Sequence, residues 1–443
     1  MNSSELKCHR VFQLVFLSCG RGTMKKRSAR FDDDFEGEFD DDLDVEFDDD
    51  FDDDIDEDFD DDLVDEMRSS GRRRRRDEED DGRPKVRRLK SWTDRLIADC
   101  AQELRGPKVL VILAHGTTLA SALREVRPDL LFTFFTPEHF FFRTLQQFHG
   151  EATASSNAGS ANPPQLVCAA DLPEGEFDDV MLATSSGDSS DVAQELFQAV
   201  HQRLRTGGKF FVSTNNPKDR WVQSQLKTLY PKVDVRKFKH GVVCVADRTA
   251  PLKKIRGFRA RFDYRLGERI VTCETRPGVF SHRRLDGGAR ALIKSLSLIT
   301  EAGESPRRII EMGCGCGSVS VAAALSFPSS QVLSIDSDAR ALDCTQQTAR
   351  LNSVTTIETL LLSDGVVPEP GTWDLVLGNP PYYSDFRIAE LFLQAARRGL
   401  KTGGRIHIVT KPTEWQAARM NQLFVELETH KYGDYVVFVA RQR

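Results

Sequence analysis

The sequence lacks any segment that could cross a membrane and any cysteine pair with the spacing of a metal site. No apolar run approaches the roughly 20 residues that a transmembrane helix needs. The nine cysteines are scattered, without a C-x-x-C pair, which favours reduced thiols over disulfides or zinc ligands. The sequence therefore predicts a cytoplasmic protein with no membrane association and no bound metal.

Basic residues are absent from residues 31–66, which carry 24 of the 68 acidic residues. The rest of the chain has 44 acidic and 61 basic residues, a net charge of +17. Apolar residues recur at every fourth position from Phe31 to Leu63, and this period forms no continuous stripe on a helix of 3.6 residues per turn. We interpret the tract as disordered, and the basic remainder favours an anionic partner such as nucleic acid.

The N-terminal residues raise a question of targeting. The stretch Val11–Cys19 loosely resembles a short signal or lipoprotein segment, but Gln13 interrupts it. We favour Met24, which three basic residues follow, as the translation start, so that residues 1–23 would not be translated. Residues 1–90 are together predicted to be a disordered acidic and basic tail.

The chain beyond this tail contains two related halves. The segments Arg203–Ser213 and Gly399–Val409 share a Leu-basic-Thr-Gly-Gly-basic pattern followed by a strand, at an offset of 196 residues. Strand and helix patterns alternate in both halves, as in α/β domains. The sequence therefore predicts a tandem duplication, with one domain over residues 91–250 and a second over residues 251–443.

A glycine-rich loop follows the first strand pattern of the second half. The strand carries Glu311 and leads into Gly313, Gly315 and Gly317, after which a helix is predicted. Glycines at such positions let the backbone approach a ligand closely, and a helix N-terminus favours a negative group. The loop is G-x-G-x-G and differs from the dinucleotide fingerprint G-x-G-x-x-G.

Acidic residues end the next two predicted strands. The strand Gln331–Ile335 runs into Asp336, and the strand Glu358–Leu362 is followed by Ser363 and Asp364. A carboxylate at the end of the second strand of such a fold can accept hydrogen bonds from both hydroxyls of a ribose.

A further buried strand ends in the segment Asn379-Pro380-Pro381-Tyr382. The two prolines donate no backbone hydrogen bond and hold the chain extended. The Asn379 amide and the Pro380 carbonyl are then fixed acceptors for the two hydrogens of a planar NH2 group, on which Tyr382 would stack. The alternative is an ordinary turn, since Asn and Pro are common turn residues.

These signals, in this order, resemble the class I S-adenosylmethionine-dependent methyltransferases that modify an amino group. Two further segments, Arg276–Ser281 (Arg-Pro-Gly-Val-Phe-Ser) and Leu285–Gly288 (Leu-Asp-Gly-Gly), make the chain similar to the ribosomal RNA small subunit methyltransferase C family. The resemblance extends from about residue 91 to the end. One departure is that the family usually has Phe-His after Asn-Pro-Pro, where this chain has Tyr382-Tyr383.

The resemblance implies a fold, a reaction and a set of site residues. The fold would be two tandem Rossmann-like domains with seven-stranded mixed sheets, in which Val436–Ala440 is the last, antiparallel strand. The reaction would be methylation of the exocyclic N2 amine of a guanine in small-subunit (16S) ribosomal RNA, with ribosomal RNA or a ribosomal subunit as the partner. The sequence does not determine the oligomeric state, for which we favour a monomer. The implied residues are Asn379, Pro380, Pro381 and Tyr382 for catalysis, Glu311, Gly313, Gly315 and Gly317 for the methionine end of S-adenosylmethionine, Asp336 for its ribose, Asp364 for its adenine, and Phe280, Tyr382 and Tyr383 for the substrate.

The first half lacks the corresponding chemical groups. It has a single glycine, Gly116, where the second half has the glycine loop. About Phe135 is expected opposite Asp336, and Ala183 opposite Asn379. We therefore interpret residues 91–250 as a non-catalytic methyltransferase-like domain that binds RNA or supports the second domain.

Four other functions remain open at the level of sequence. A large-subunit guanine-N2 methyltransferase differs only in its target, and a protein glutamine-N5 methyltransferase shares Asn-Pro-Pro-Tyr because a glutamine amide is also planar. An adenine-N6 DNA methyltransferase would need a separate target-recognition domain, which the sequence does not suggest. A non-catalytic RNA-binding assembly factor would not need the glycine loop and Asn379.

Overall fold

The computed structural model describes residues 89–155, 162–381, 386–411 and 413–443. It contains two β-sheets with flanking helices, one after the other along the chain. The elements of the first half are α1 (Trp92–Ala98), a 3₁₀ helix (Asp99–Glu103), β1 (Lys108–Ile112), α2 (Thr118–Val126), β2 (Leu131–Thr136), α3 (His139–Ser155), β3 (Gln165–Cys168), β4 (Phe177–Ala183), α4 (Ser190–Arg203), β5 (Leu204–Thr214), α5 (Trp221–Leu229), β6 (Lys232–Phe238) and β7 (Gly241–Asp247). Its sheet has the order β3-β2-β1-β4-β5-β7-β6, and β7 is antiparallel to both of its neighbours.

The second half repeats this topology after a hairpin of two strands, β8 (Ala260–Leu266) and β9 (Arg269–Thr275). Its further elements are α6 (Gly287–Lys294), α7 (Ser297–Glu301), β10 (Arg308–Met312), α8 (Ser318–Ser326), β11 (Gln331–Asp336), α9 (Ala339–Leu351), β12 (Ile357–Leu361), β13 (Trp373–Gly378), α10 (Arg387–Gly399), β14 (Leu400–Thr410), α11 (Glu414–Leu423), β15 (Val425–Tyr432) and β16 (Tyr435–Arg441). The order is β12-β11-β10-β13-β14-β16-β15, with β16 antiparallel to β14. The predicted fold of two seven-stranded mixed sheets and the predicted last, antiparallel strand are confirmed.

Burial on both faces explains why the central strands read as continuous apolar runs in the sequence. Every residue of β4 is buried, and the apolar residues of β13 and β14 lie between helices on either side of the sheet. Parallel strands covered on both faces need such runs. The strand order reverses between β11-β10 and β13, and this switch point opens a crevice at the carboxyl ends of the three strands.

A matching aspartate at the start of β4 and β13 explains part of the sequence repeat. Asp178 Oδ2 accepts from the Lys108 N–H (2.9 Å), and Asp374 Oδ2 accepts from the Arg308 N–H (2.9 Å). Each aspartate also pairs with a basic side chain from the next strand, Arg205 in the first sheet and Lys401 in the second. The repeated Asp and basic residues therefore fix strand ends, which both halves need whether or not they bind a ligand.

The strand registers correct the predicted alignment of the first half with the second half at Asp336. Lys108 pairs with Leu131 in the first sheet and Arg308 with Gln331 in the second, so equivalent residues here are 200 apart. Thr136, and not Phe135, therefore stands opposite Asp336. The conclusion that no acid occupies this position in the first half is unchanged.

The sequence from Asp286 to Leu298 has the pattern of a single helix, but α6 ends at Lys294 and a separate helix, α7, begins at Ser297.

The two sheets belong to one compact unit and contact each other through equivalent loops. The His139 N–H donates to the Ser337 carbonyl (2.8 Å), and the Ala339 N–H donates to the Pro137 carbonyl (2.9 Å). Glu138 and Asp338, which lie between these hydrogen-bonded residues in each loop, form an antiparallel bridge. The loop after β2 is thereby joined to the loop after β11, at the edge of the crevice.

Residues 1–88 lie outside the described part of the chain, so the predictions of a disordered tail and of a start at Met24 stay predictions. Among the helices that the structure does describe, none is long and apolar enough to span a bilayer.

Candidate active site

A cavity of about 320 Å³ lies in the crevice of the second sheet, at the ends of β10, β11 and β13. Eight residues singled out from the sequence line it: Phe280, Glu311, Gly313, Gly315, Asp336, Asn379, Pro380 and Pro381. They converge because the carboxyl ends of neighbouring parallel strands meet at one edge of a sheet. A cavity of this size suits a small organic ligand.

The glycine loop has a backbone that other residues would strain. Gly313, Gly315 and Gly317 have φ of 70°, 55° and 78°, in the left-handed region. A Cβ at Gly315 would meet no protein atom within 4 Å, whereas a Cβ at Gly317 would lie 2.9 Å from the Thr345 backbone. Gly315 thus leaves room on the cavity side of the loop, and Gly317 allows α8 to pack on α9.

Glu311 lies beneath this loop and is 4 % exposed. Its carboxylate accepts a hydrogen bond from the Ser320 hydroxyl, which is itself 2.5 Å from the Ser334 hydroxyl. Burial raises the pKa of Glu311 to about 8, although the bond from Ser320 opposes the shift. A buried acid of this kind at a cavity is suited to bind a cationic group, which would favour its ionised form.

Asp336 joins the end of β11 to the glycine loop. Its Oδ2 accepts from the Gly315 N–H (3.0 Å) and its Oδ1 from the Asp338 N–H (3.0 Å). Burial raises the pKa of Asp336 to about 6, despite these hydrogen bonds. The carboxylate is therefore held in one orientation at the cavity wall.

The Asn379 amide is oriented by an acid that lies 93 residues earlier in the sequence. Asn379 Nδ2 donates to Asp286 Oδ2 (3.0 Å), and the same oxygen accepts from the Ala289 N–H (3.1 Å) at the start of α6. A Cβ at Gly288 would lie 2.8 Å from Asn379 Oδ1. The short Asp-Gly-Gly start of α6 therefore both admits the amide and fixes which of its ends is the nitrogen.

An aromatic side chain marks the rim of the cavity. Phe280 lines it and is 62 % exposed, which is unusual for so large an apolar side chain. Deeper in the cavity the wall includes Ile388, Leu391 and Phe392 of α10. This combination suits a ligand with a flat apolar face and a polar edge.

Two of the residues expected in the site, Gly317 and Asp364, do not line the cavity, and for two others the structure gives no placement. Gly317 lies at the start of α8, and Asp364 lies beside the cavity, between its lining residues Ser363 and Gly365. The Asp364 carboxylate accepts from the Val366 N–H (3.0 Å) and pairs with Arg143 of the first half (3.5 Å). Tyr382 and Tyr383 lie outside the described residues.

Two lining residues were missed by the sequence analysis. Asp286 was noted only as part of the Leu-Asp-Gly-Gly segment, and that segment gave no sign that it would meet Asn379. Glu138 comes from the half that lacks ligand-binding groups, and no sequence signal distinguished it.

No metal centre is apparent among the described residues, where no three His, Cys, Asp or Glu side chains are placed to hold an ion. The seven cysteines in this part of the chain are free thiols.

Comparison with known proteins identifies relatives of the chain. The Methyltransferase small domain family matches residues 270–439, which contain the second sheet except for the last two residues of β16. The chain is 31 % identical over 175 residues to the ribosomal RNA small subunit methyltransferase C of Pseudoalteromonas translucida, covering 38 % of this chain and 49 % of that protein. It is 25 % identical to the proteins of the same name from Pseudoalteromonas atlantica, covering 66 % of this chain and 85 % of that protein, and Shewanella piezotolerans, covering 74 % and 93 %.

The chain is thus similar, over most of its length, to proteins named ribosomal RNA small subunit methyltransferase C. It spans about half the length of the first of these relatives and most of the length of the other two. A solved T. thermophilus 16S rRNA N2 methyltransferase, in complex with AdoMet and guanosine, has a TM-score of 0.64. The match covers 81 % of this chain and 94 % of that one at 20 % identity, and it shows that both halves share the fold of that enzyme.

Proposed function

We propose that the chain transfers a methyl group from S-adenosylmethionine to the exocyclic N2 amine of a guanine in small-subunit (16S) ribosomal RNA. The observation that carries the proposal is the presence of two groups in one cavity: Asn379 and Pro380 line the same cavity as the glycine loop and Asp336. The match to the Methyltransferase small domain and the names of the relatives support it. The site combines a place for a nucleoside-containing donor with a place for a planar amine.

The residues of the cavity fit S-adenosylmethionine. The open space at Gly315 would let the ligand approach the backbone, and both Glu311 and Asp336 line the cavity. Glu311 would bind the ammonium group of the methionine end, and Asp336 would bind the ribose. When bound, S-adenosylmethionine supplies an activated methyl group on a sulfonium centre. We assign Gly313 and Gly315 to the loop that holds it, while Gly317 supports the loop from below. Asp364 stays a predicted adenine contact.

Asn379 and Pro380 act on the acceptor. An exocyclic amine is a poor nucleophile because its lone pair is delocalised into the ring. Acceptance of its two hydrogens by the Asn379 amide oxygen and the Pro380 carbonyl favours a tetrahedral nitrogen and stabilises the positive charge that develops on it. The hydrogen bond from Asn379 Nδ2 to Asp286 holds the amide oxygen in the orientation this requires. Positioning contributes much of the remaining barrier reduction, and no prior deprotonation is needed.

The substrate base has to leave its stack to reach this cavity. Phe280 at the rim is the stacking surface that the described residues offer, and Tyr382 and Tyr383 are predicted to add to it. The proposed partner is ribosomal RNA or a ribosomal subunit, met in the cytoplasm by a monomeric protein that uses no metal and no membrane. The net charge of +17 outside the acidic tract supports an RNA partner.

The test is methylation of ribosomal RNA from a strain that lacks the enzyme, with mass mapping of the product. Asn379→Ala should lower the single-turnover rate by about 10²–10³ and leave the affinity for S-adenosylmethionine nearly unchanged. Asn215→Ala is the matched control, because this asparagine accepts from the Ser186 N–H in the first half and should have no effect on rate.

A loss of less than tenfold in Asn379→Ala would contradict the role of Asn379. Product in large-subunit RNA, or on the glutamine amide of a protein, would contradict the proposed substrate. Cofactor binding without any methyl transfer would point to an assembly factor.

A further inference from the structure

Glu138 of the first half lines the cavity of the second half. It follows β2, in the loop that meets the loop after β11, and it is 4 % exposed. Its Oε1 atom is buried and has no hydrogen-bond partner within the protein. A buried polar atom without a partner is costly, so a group supplied by a ligand would stabilise it.

The protein's own cation does not satisfy this atom. Arg340 approaches Glu138 Oε1 only to 3.8 Å, which is too long for a hydrogen bond. Its guanidinium is instead bonded to Asp338, with Nη2 at 2.6 Å and Nε at 3.0 Å. Arg340 thus offsets the charge of the loop but leaves Glu138 Oε1 without a donor.

Glu138 occupies the same edge of the cavity as Asp336. Asp336, Ser337 and Asp338 all line the cavity, and the antiparallel bridge joins Glu138 to Asp338. The Thr136 hydroxyl accepts from the Glu138 N–H (3.2 Å), which fixes the backbone from the other side. The side chain is therefore held, by both halves, at the end of the cavity that we assign to the donor's ribose.

The ionisation of Glu138 suits a neutral partner. Burial, and then the nearby Asp338, raises its pKa well above the ordinary range. A protonated carboxyl both donates and accepts a hydrogen bond, as a sugar hydroxyl does. A cationic ligand group, by contrast, would need the ionised form and is better served by Glu311.

We propose that Glu138 hydrogen-bonds a ribose hydroxyl of the bound donor, so that the half without a site of its own completes the site of the other half. This inference rests on the proposed function, because it takes the ligand to be S-adenosylmethionine. This contact would also give the first half a function in donor binding that is separate from RNA binding.

The test compares donor binding by the full chain and two variants, using calorimetry with S-adenosylhomocysteine and with its 2′,3′-dideoxy analogue. Glu138→Ala should weaken binding of S-adenosylhomocysteine about tenfold, while binding of the dideoxy analogue changes little. Glu138→Gln keeps a donor and an acceptor and should retain affinity within about threefold. Glu174→Ala, at an exposed acid of the same half (88 % exposed), is the inert control.

Two results would overturn the inference. If Glu138→Ala weakens both ligands equally, the residue only docks the two halves. If it weakens neither, the residue does not contact the donor. The preference for the ribose-containing ligand over the dideoxy ligand is the readout that a docking role would not alter. Failure of the wild-type chain to bind S-adenosylhomocysteine at all would instead refute the proposed function.

Discussion

One oxygen of Asp286 links the start of a helix to the amide in the cavity. Asp286 Oδ2 accepts from the backbone of α6 and from Asn379 Nδ2. The capping contact contributes to stability, and the amide contact concerns only the acceptor side of the site. These two contributions are separable, because serine also caps helices well but is too short to reach a distant amide.

We expect Asp286→Ser to lower the methyl-transfer rate without lowering stability or donor affinity. The cap is retained, so the free energy of unfolding should change by less than about 0.5 kcal/mol. The rate should fall by about 10- to 100-fold, because the Asn379 amide is no longer held in one orientation. Urea unfolding and single-turnover kinetics measure the two effects. Asp286→Asn, which keeps an acceptor in place, should recover most of the rate, and failure to do so would show that the negative charge itself matters.

Glu311 should make stability depend on pH in the absence of the donor. Its folded-state pKa of about 8 lies above the ordinary value of 4.5, so between these values the folded protein holds a proton that the unfolded chain has released. Stability should therefore fall as pH rises through this window, by about 1.4 kcal/mol per pH unit from this group. Urea unfolding at pH 5.5, 6.5 and 7.5 should give a smaller slope for Glu311→Gln than for the wild type. Parallel slopes would mean that Glu311 is ionised in the folded protein.

Individual site residues can be predicted from the sequence when they lie at or near the end of a strand. Glu311, Asp336 and Asn379 each end or follow a strand of one parallel sheet, so topology alone brings them together. Asp286 and Glu138 enter the cavity from a helix start and from the other half. Their contacts span 93 and about 200 residues of sequence, and no local pattern encodes them.

The first turn of helix α6 has no side chain at Gly288. The amide of Asn379 lies against this glycine, and any side chain at position 288 would displace the amide. On helix propensity alone, alanine at this position would be more stable than glycine by about 1 kcal/mol. The glycine therefore reflects the approach of the site and not the needs of the helix.

We expect Gly288→Ala to slow methyl transfer by at least tenfold while leaving donor affinity and thermal stability close to those of the wild type. The new Cβ would lie 2.8 Å from Asn379 Oδ1, and the amide is the group that can move. Kinetics and calorimetry on the same preparation give the comparison. Gly257→Ala serves as the control, since a Cβ there meets nothing within 4 Å. Unchanged kinetics would show that the amide tolerates a shift.

The elements themselves were largely predictable, and the exceptions have local causes. Buried parallel strands such as β10 and β13 have uninterrupted apolar runs, and the glycine loop marks the start of α8. The hairpin β8-β9, which carries several basic residues, was not predicted from the sequence. In the structure Arg259 and Arg261 pair with Glu274, so part of that charge is used within the hairpin.

Charge is distributed unevenly over the whole molecule, and the acidic tract should affect RNA binding. Residues 31–66 carry −24 and are tied to a remainder of +17, which keeps the tract at high effective concentration near any basic surface. Deletion of residues 1–66 should therefore tighten RNA binding at low salt, with convergence at high salt as screening removes the competition. The measurement is RNA affinity against salt concentration. Identical affinities at every salt concentration would leave the tract with a role in solubility alone.

A buried arginine also joins the two halves through ion pairs. Arg276, whose side chain is 6 % exposed, pairs with the exposed Asp171 (2.8 Å) and the largely buried Glu195 (2.9 Å) of the first half. Removing Glu195 would leave the buried Arg276 with a less well compensated charge. The first half is therefore bound firmly to the second, although it has Val111, Thr136 and Ala183 where the second has Glu311, Asp336 and Asn379.

The contact between the halves has the symmetry of a homodimer. The bond from His139 to Ser337 and the bond from Ala339 to Pro137 exchange equivalent residues, as an isologous two-fold interface does. Each loop supplies one donor and one acceptor to the other, so the contact is one that two separate chains are able to form. The two halves, separated at Gly257 and co-expressed, should therefore purify as a complex. Failure to associate would show that the contact depends on the covalent link between the halves.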